Sequence, residues 1–308
     1  KPRHELILLL SGDEETTMAS TRELAKRYHD AEFLLNADAG GGTLDPDTGK
    51  PALYQIQAAE KTYADIRIGL TSAGGHSSEP NNDNAIYRLA RIIDRVAAYQ
   101  FPPKSNEITL ASLRALGAHT PGPLGAAMTR FAAHPDDAAA AATISADPAY
   151  VGQIRTTCVA TMLNGGHALN ALPQSASVNI NCRIFPGTSV DSVRDTLVKV
   201  IDDNTATVTI QPPPPVASPA SPLRKDVIAA VTAAVHARFP GVEIVPGMSA
   251  GASDSMYFRN AGVPSYGIDA SFTKPDDTFA HGLNEKLPAS EVEAGLEFWH
   301  RVLVQLAK

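Results

Sequence analysis

Several residue types and patterns are scarce in this 308-residue chain, and each scarcity excludes a class of protein. There are two cysteines, Cys158 and Cys182, without Cys/His ligand spacing, so we expect neither a disulfide framework nor a zinc finger. We expect both to be small buried residues, with a single disulfide as the less favoured alternative. No apolar run is long enough to span a bilayer. The net charge of −7 is spread along the chain, which excludes a nucleic-acid surface.

No initiator Met or signal peptide is visible in the sequence, so the compartment stays open between cytoplasmic and periplasmic or secreted. What it does have at the start is "HELILLL", residues 4–10, which predicts a strand covered on both faces of a parallel sheet. A helix and the strand "AEFLLNAD" follow. Strand, helix and strand with polar residues at the strand ends predict an open α/β sheet, in which ligands bind at the carboxyl ends of the strands.

The middle of the chain has a different pattern. "YADIRIGLTS", "SASVNINCRIF" and "TATVTIQ" alternate apolar and polar residues, and helical stretches lie between them. This pattern predicts an α+β domain with helices on one face of an antiparallel sheet. A proline-rich linker, 212–222, closes it, and Ser221 is predicted to cap the next helix. We therefore predict an α/β catalytic domain in two parts, 1–61 and 215–308, with an inserted lid and dimerisation domain at 62–214.

Adjacent carboxylates follow the first predicted strand in "GDEE", where repulsion and desolvation are costly unless a cation is bound. One carboxylate can bind a metal while its neighbour takes a proton from the metal-bound water. A solvated loop or an acidic first helical turn is the alternative. Other polar residues in turns or strand ends have similar double interpretations, as functional groups or as ordinary turn and surface residues: Asp38, His76, Asn170, Arg183 and His281.

Taken in order, "GDEE", Asp38, "GGHSSEP", "GGHALNALP…NCR", "GASDS" and "HGLNE" resemble the two-zinc peptidases and amidohydrolases. This is the family of carboxypeptidase G, aminoacylase, acetylornithine deacetylase and succinyl-diaminopimelate desuccinylase. The glycines after Asp38 are nearer to its carboxypeptidase S-like branch. The resemblance covers essentially the whole chain and implies a zinc-peptidase-like catalytic domain, a mixed sheet between helices, with an inserted α+β lid domain.

The resemblance also implies roles for individual residues. Glu14 corresponds to the general base and Glu15 to a ligand of one metal, which it shares with His281. Asp38 corresponds to a ligand of the second metal. In the lid, His76 would stabilise the oxyanion, in many relatives from the partner subunit. Asn170 and Arg183 would bind the substrate, and Arg183 would hold its terminal carboxylate. The backbone at Gly251 and Ser253 would line the substrate pocket.

From the resemblance we expect an enzyme that hydrolyses the amide bond of a small peptide or N-acyl amino acid, with peptidase and deacylase both open. The cofactors would be two Zn²⁺ ions, with Co²⁺ or Mn²⁺ as alternatives, and the protein would be a homodimer through the lid. The family's His-x-Asp motif and bridging Asp do not occur before "GDEE". We therefore expect an N-terminal portion to be missing and this chain alone to bind the metals poorly. The alternative is a non-catalytic binding or dimerisation module.

Overall fold

The computed structural model describes residues 2–274 and 282–308. Its two compact units are each built from separate stretches of the chain. The first unit contains Lys1–Glu60, Ser105–Ile144 and Ser218–Lys308, and the second contains Lys61–Lys104 and Ser145–Ala217. The second unit begins and ends near the predicted lid boundaries, but residues 105–144 belong to the first unit. The catalytic and lid roles of the segments remain predictions.

The described helices are α1 (Ala19–Arg27), α2 (Ala85–Ala98), α3 (Glu107–His119), α4 (Gly122–Ala133), α5 (Ala138–Ser145), α6 (Val151–Ile154), α7 (Val190–Ile201), α8 (Lys225–Arg238), α9 (Ser255–Asn260) and α10 (Ala289–Leu306). The described strands are β1 (Leu34–Asn36), β2 (Gly41–Leu44), β3 (Pro51–Glu60), β4 (Thr62–Thr71), β5 (Gly75–His76), β6 (Thr157–Gly165), β7 (Ala171–Leu172), β8 (Ser175–Ile184), β9 (Thr207–Ile210), β10 (Glu243–Ser249), β11 (Ser265–Gly267) and β12 (Phe272–Thr273).

The first unit is built on a mixed sheet. Its strand order is β1-β11-β3-β2-β12, and β10 also pairs with β3. The β1–β11, β3–β10 and β2–β12 pairs are parallel, whereas β3 runs antiparallel to β2 and β11. The predicted α/β class is therefore confirmed. The loops that follow β1 and β10 leave their carboxyl ends, where ligands are expected in sheets of this type.

One predicted strand is wrong. Residues 4–10 form neither helix nor strand, and within the described chain no strand pairs with them. Leu8 is 83% exposed and Leu10 is 80% exposed, so the run is not covered on two faces. Only Leu9 packs partly against the cluster of Ala25, Phe258 and Val263. An apolar run becomes buried only where other elements cover it, and the sequence of the run does not specify those elements.

The second unit confirms the predicted α+β arrangement. Its antiparallel sheet has the order β6-β8-β4-β9. Alternate residues of β4 and β8 are buried in one cluster with the apolar faces of α2 and α7. Asn84 caps α2, since its side-chain oxygen accepts from the Ile86 and Tyr87 amides. On β4 and β8 the opposite face carries polar residues such as Asp65, Arg67, Asn179 and Asn181, since successive residues of a strand point to opposite faces.

The two cysteines form a disulfide, so the expectation of two separate thiols is wrong. Cys158 on β6 lies directly opposite Cys182 on β8, and their Cα atoms are 4.1 Å apart. This separation lies just below the usual Cα–Cα range of a disulfide, about 4.4–6.8 Å. Burial of Cys182 was predicted correctly, but the cross-strand register that pairs the two residues is not visible in their sequence spacing.

The predicted helix start at Ser221 is also wrong, because α8 begins at Lys225. The Ser221 hydroxyl is instead buried and donates to the Ser265 carbonyl at 2.9 Å. It accepts from the Ser265 amide at 2.9 Å and from Arg259 Nε at 3.2 Å. Ser221 therefore joins the segment before α8 to β11 instead of capping a helix.

Candidate active site

The "GDEE" turn is held in place by its first acid. Asp13 Oδ2 accepts from the Thr17 hydroxyl at 2.5 Å and the Ala19 amide at 2.7 Å, while Oδ1 accepts from the Ser20 amide at 3.0 Å and from the Ser20 hydroxyl. These bonds, the one from the Ser20 hydroxyl first and that from Thr17 next, hold the pKa of Asp13 well below its ordinary range. Asp13 therefore stays ionised and anchors the turn to the start of α1.

Glu14 and Glu15 follow within this anchored turn. Glu14 is half-buried and Glu15 is exposed. The bonds made by Asp13 give one of the three adjacent carboxylates a structural role. Asp13 is an anion that orients the turn and the start of α1. The other two are the predicted base and metal ligand, and the structure places both immediately before α1.

The loop that carries Asp38 is tied to a distant segment by Asn36, the last residue of β1. The Asn36 side-chain amide donates to the hydroxyls of Ser253 at 3.3 Å and Ser255 at 3.1 Å. Its side-chain oxygen accepts from the backbone amide of Asp38 at 2.9 Å. Asp38 itself is exposed. One amide side chain thus connects the predicted second-metal ligand to the "GASDS" segment.

The same "GASDS" segment, Gly251–Ser255, is also tied to the acidic turn, through Asp254. The Ser11 hydroxyl donates to Asp254 Oδ2 at 2.5 Å, and the Thr21 hydroxyl donates to Oδ1. Ser11 precedes the acidic turn and Thr21 lies on α1 behind it. The first unit therefore brings three predicted segments together: the turn with Glu14 and Glu15, the loop with Asp38, and the Gly251–Ser255 loop.

Within this loop, Gly251 is exposed and its amide donates to the Ser249 hydroxyl at 3.0 Å. Ser253 is only 4% exposed, and its hydroxyl donates to Glu60 Oε2 at 2.9 Å. Because that hydroxyl is engaged inside the protein, a pocket formed by this loop would present backbone groups, as the resemblance implies. The substrate-binding roles of Gly251 and Ser253 remain predictions.

Behind the loop lies a buried ion pair that sequence reasoning missed. Arg259 Nη1 is 2.9 Å from Glu60 Oε1, and the two side chains are 1% and 0% exposed. Glu60 Oε1 also accepts from the Ser218 hydroxyl at 2.9 Å, and Oε2 accepts from Gln57 at 3.3 Å. Burial raises the pKa of Glu60 and lowers that of Arg259, while the attraction within the pair opposes both shifts.

Glu60, Arg259, Asn36 and Asp254 were not singled out from sequence, since each acts through a partner far along the chain. Glu60 and Asn36 do carry one local signal. Each is a polar residue at the carboxyl end of a strand, where the Glu14, Glu15 and Asp38 assignments were also made. Nothing local distinguishes Arg259, which lies on the short helix α9.

In the second unit, a two-stranded ribbon brings His76 and Asn170 together. His76 on β5 pairs with Ala171 on β7, and the Ser77 amide donates to the Asn170 carbonyl at 2.9 Å. His76 Nδ1 is 2.7 Å from the Ser78 hydroxyl and accepts from the Ser78 amide at 3.2 Å. In the neutral ring, the hydrogen therefore lies on Nε2. His76 is exposed, so this N–H is a suitable donor to an anionic oxygen.

Arg183 lies on β8 in the four-stranded sheet of this unit, near the end of the strand. Its guanidinium stacks over the Tyr63 ring at 4.7 Å, and the Tyr63 hydroxyl donates to Asp65 at 2.7 Å. Arg183 lies eight residue steps along β8 from Ser175, roughly 27 Å of extended strand. The ribbon with His76 and Asn170 adjoins the Ser175 end. Within one protomer, the second unit therefore does not bring Arg183 together with His76 and Asn170.

Lys61 is a second cation at the Arg183 end. Its side chain is 1% exposed, and its Nζ donates to the Thr157 hydroxyl at 3.3 Å. Thr157 on β6 is the register partner of Arg183 on β8. Burial, and secondarily the charge of Arg183, lower the pKa of Lys61 to about 7. Two basic side chains therefore converge at this end of the sheet.

The structure does not contain a complete metal centre among the residues it describes. Glu15 and Asp38 carry the carboxylates that divalent metals bind, but His281 lies outside the described residues. In residues 2–274 and 282–308, no group of three or more His, Cys, Asp and Glu side chains is placed to hold an ion. These residues alone do not fit a two-metal site.

In residues 2–274 and 282–308, no helix has the length and hydropathy to cross a membrane.

The fold and these loops define a class: a two-unit α/β protein with an inserted antiparallel unit. Residues 58–209 match the peptidase dimerisation domain of the M20 family. The chain is 25% identical over 310 residues to human N-fatty-acyl-amino acid synthase/hydrolase PM20D1, covering 96% of this chain and 60% of that protein. It is 24% identical over 323 residues to the probable carboxypeptidase S-like 2 of Dictyostelium discoideum, covering 100% of this chain and 60% of that protein.

Among solved structures, the M20 family metallo-carboxypeptidase Sso-CP2 from Sulfolobus solfataricus superimposes with a TM-score of 0.63. The two chains are 16% identical in sequence over 95% of this chain and 68% of that chain. The superposition supports the fold assigned to this chain. Residues 58–209 thus match an M20 peptidase dimerisation domain, and over nearly its whole length the chain is similar to proteins of the carboxypeptidase S-like branch. It spans about 60% of the length of these two curated relatives.

Proposed function

We propose that the whole protein is a metal-dependent hydrolase that cleaves the amide bond of a small peptide or N-acyl amino acid bearing a free carboxylate, in the manner of an exopeptidase. The observation that carries this proposal is the assembly of three loops in the first unit. Asn36 and Asp254 hold the acidic turn, the Asp38 loop and the Gly251–Ser255 loop against one another. Relatives whose names describe N-acyl amino acid hydrolysis and carboxypeptidase activity support the same reaction class.

The roles within this site follow from the chemistry of the side chains. Glu14 takes a proton from the attacking water and returns it to the leaving amine, since a half-buried carboxylate can serve as base and then as acid. Asp13 stays ionised and keeps the turn in place, so that Glu14 has a fixed position. Glu15, Asp38 and His281 are the proposed ligands of two zinc ions, for which Co²⁺ or Mn²⁺ are alternatives.

Substrate recognition by the second unit is best explained by a homodimer. Arg183 binds the terminal carboxylate of the substrate, because a guanidinium can hold a carboxylate through two hydrogen bonds. His76 and Asn170 lie in the ribbon beside the other end of β8, too far away to act beside the same Arg183. We therefore assign them to the active site of the partner subunit, where His76 would donate to the oxyanion.

The surface proposed for this dimer is the edge strand β6. It is the terminal strand of the sheet order, and it exposes Val159, Met162 and Leu163 by 58%, 66% and 65%. An edge strand with apolar side chains is a template for pairing with another chain. The match of residues 58–209 to a peptidase dimerisation domain supports this assignment.

The experiment uses the full-length protein with its metals and two substrate panels, dipeptides and N-acyl amino acids. We expect hydrolysis that a chelator abolishes and that is lost when the substrate carboxylate is amidated. The Glu14→Gln variant should lose about 10²–10⁴ in kcat, the usual contribution of general acid–base catalysis. The control is Glu23→Gln, which removes an exposed carboxylate on α1 that pairs with Lys26.

Full turnover by Glu14→Gln would exclude the assigned base. No hydrolysis of either panel by the wild-type protein would favour the non-catalytic module. The relative rates on the two panels decide between a peptidase and an N-acyl amino acid hydrolase, which the residues of the site do not distinguish.

A further inference from the structure

Glu60 is contacted by two serines that come from different segments of the first unit. Ser253, in the Gly251–Ser255 loop, donates to Oε2 at 2.9 Å. Ser218, in the segment that precedes α8, donates to Oε1 at 2.9 Å. The serines are 4% and 2% exposed, and Glu60 is fully buried. The two hydrogen bonds are therefore matched in length and burial, but only one of them reaches the loop.

The Glu60 carboxylate is itself fixed from behind by Arg259. The guanidinium pairs with Oε1 at 2.9 Å, and Nη2 donates to the Ser265 carbonyl at 2.9 Å and to the Gln57 carbonyl at 3.3 Å. Its Nε donates to the Ser221 hydroxyl at 3.2 Å. Arg259 is therefore bonded to the backbone of β3 and β11, and the pair is attached to the sheet. A buried charge pair of this kind holds its geometry, because displacing one partner leaves an uncompensated charge.

We propose that Glu60, held by Arg259, is the positioning residue of the Gly251–Ser255 loop and acts on it through the Ser253 hydroxyl. This inference rests on the proposed function, in which the backbone of the loop lines the substrate pocket. The effect extends further, because the Ser253 hydroxyl also accepts from Asn36, whose side chain holds the Asp38 amide. Glu60 does not contact the reacting atoms in this role. It sets the position of backbone groups that bind the substrate.

Three variants of the full-length protein test the proposal without unpairing the buried arginine. Ser253→Ala removes the link between Glu60 and the loop. Ser218→Ala removes the matched hydrogen bond that does not reach the loop. Glu60→Asp keeps the charge opposite Arg259 but shortens the side chain, so that it withdraws from Ser253 without changing the loop sequence. For each variant we would measure kcat, KM and the hydrogen exchange of peptides covering residues 249–256.

Ser253→Ala and Glu60→Asp should both raise KM about tenfold with kcat changed less than about threefold, because a bond to a charged acceptor is lost and the loop is released. Both should speed amide exchange in residues 249–256 by about tenfold. Ser218→Ala should leave KM and this exchange within about twofold of wild type, although its thermal midpoint should fall as much as that of Ser253→Ala.

Equal effects of Ser218→Ala and Ser253→Ala on KM and on loop exchange would overturn the proposal, since Glu60 would then serve stability alone. Wild-type loop exchange in Glu60→Asp would also overturn it, because the effect of Ser253→Ala would then come from Ser253 itself. Hydrogen exchange does not require turnover. If the wild-type protein hydrolyses neither substrate panel, the proposed function fails, and the exchange of the three variants still decides whether Glu60 positions the loop.

Discussion

The disulfide between Cys158 and Cys182 gives the most quantitative prediction. It joins the edge strand β6 to the central strand β8 across a sequence separation of 24 residues. In the chain-entropy treatment, a cross-link that closes a loop of this length stabilises the fold by about 3.5 kcal/mol, by restricting the unfolded chain. For a unit of roughly 120 residues, that free energy corresponds to a fall in Tm of about 14 °C when the bond is broken.

The assay is differential scanning calorimetry of the oxidised protein with and without a thiol reductant. We expect the reductant to lower the midpoint of the second unit and to leave that of the first unit unchanged. The control is the double variant Cys158→Ala/Cys182→Ala, which has no bond to reduce and should be insensitive to the reductant. An identical midpoint for the reduced and oxidised wild-type protein, with the bond verified by mass spectrometry, would refute the reasoning.

Two further predictions concern the second unit. Lys61 has a pKa of about 7 in the folded protein, against an ordinary 10.5, so the folded state binds fewer protons than the unfolded state between these values. The free energy of unfolding should therefore rise from pH 7 to pH 10.5, by at most about 1.4 kcal/mol per pH unit. Denaturant unfolding should show that Lys61→Met loses this rise and that Lys199→Met, at an exposed position, keeps it; equal slopes in wild type and Lys61→Met would contradict the prediction. For the dimer, Met162→Lys on the edge strand β6 should shift sedimentation at micromolar concentration towards the monomer, because a lysine on an edge strand opposes pairing. Thr207→Lys on the opposite edge strand β9 should sediment as wild type, and a stable Met162→Lys dimer would exclude β6 as the interface.

The second unit was largely predictable from sequence because each of its central strands has one solvent-exposed face. Ile66 and Ile68 alternate with Arg67 and Gly69, and this alternation alone indicates which side chains enter the core. The run at residues 4–10 has no such alternation. It predicts burial from both sides, but the burial depends on neighbouring elements that the run does not specify, and the prediction was wrong.

The first-unit site was predictable where polar residues follow strands or form recognisable motifs, as at Glu14, Glu15 and Asp38. The contacts that hold those motifs together were not predictable. Asp254 is separated by 243 residues from Ser11 and by 233 from Thr21, and neither spacing has a local signature. The disulfide was missed for the same reason, because the pairing register of β6 and β8 decides it. Sequence motifs indicate chemistry, whereas tertiary contacts set the positions of the groups that carry it out.

The buried pair of Glu60 and Arg259 has a consequence for how related sequences can diverge. Replacing either residue alone leaves a charge inside the first unit without a counterion, a change that costs about 3–5 kcal/mol. Replacing both with apolar residues of similar volume avoids that cost. Positions 60 and 259 should therefore covary among homologous chains, changing together or not at all, whereas position 218 should vary independently of them. Where a homologue has lost both charges, we expect a different residue in place of Ser253.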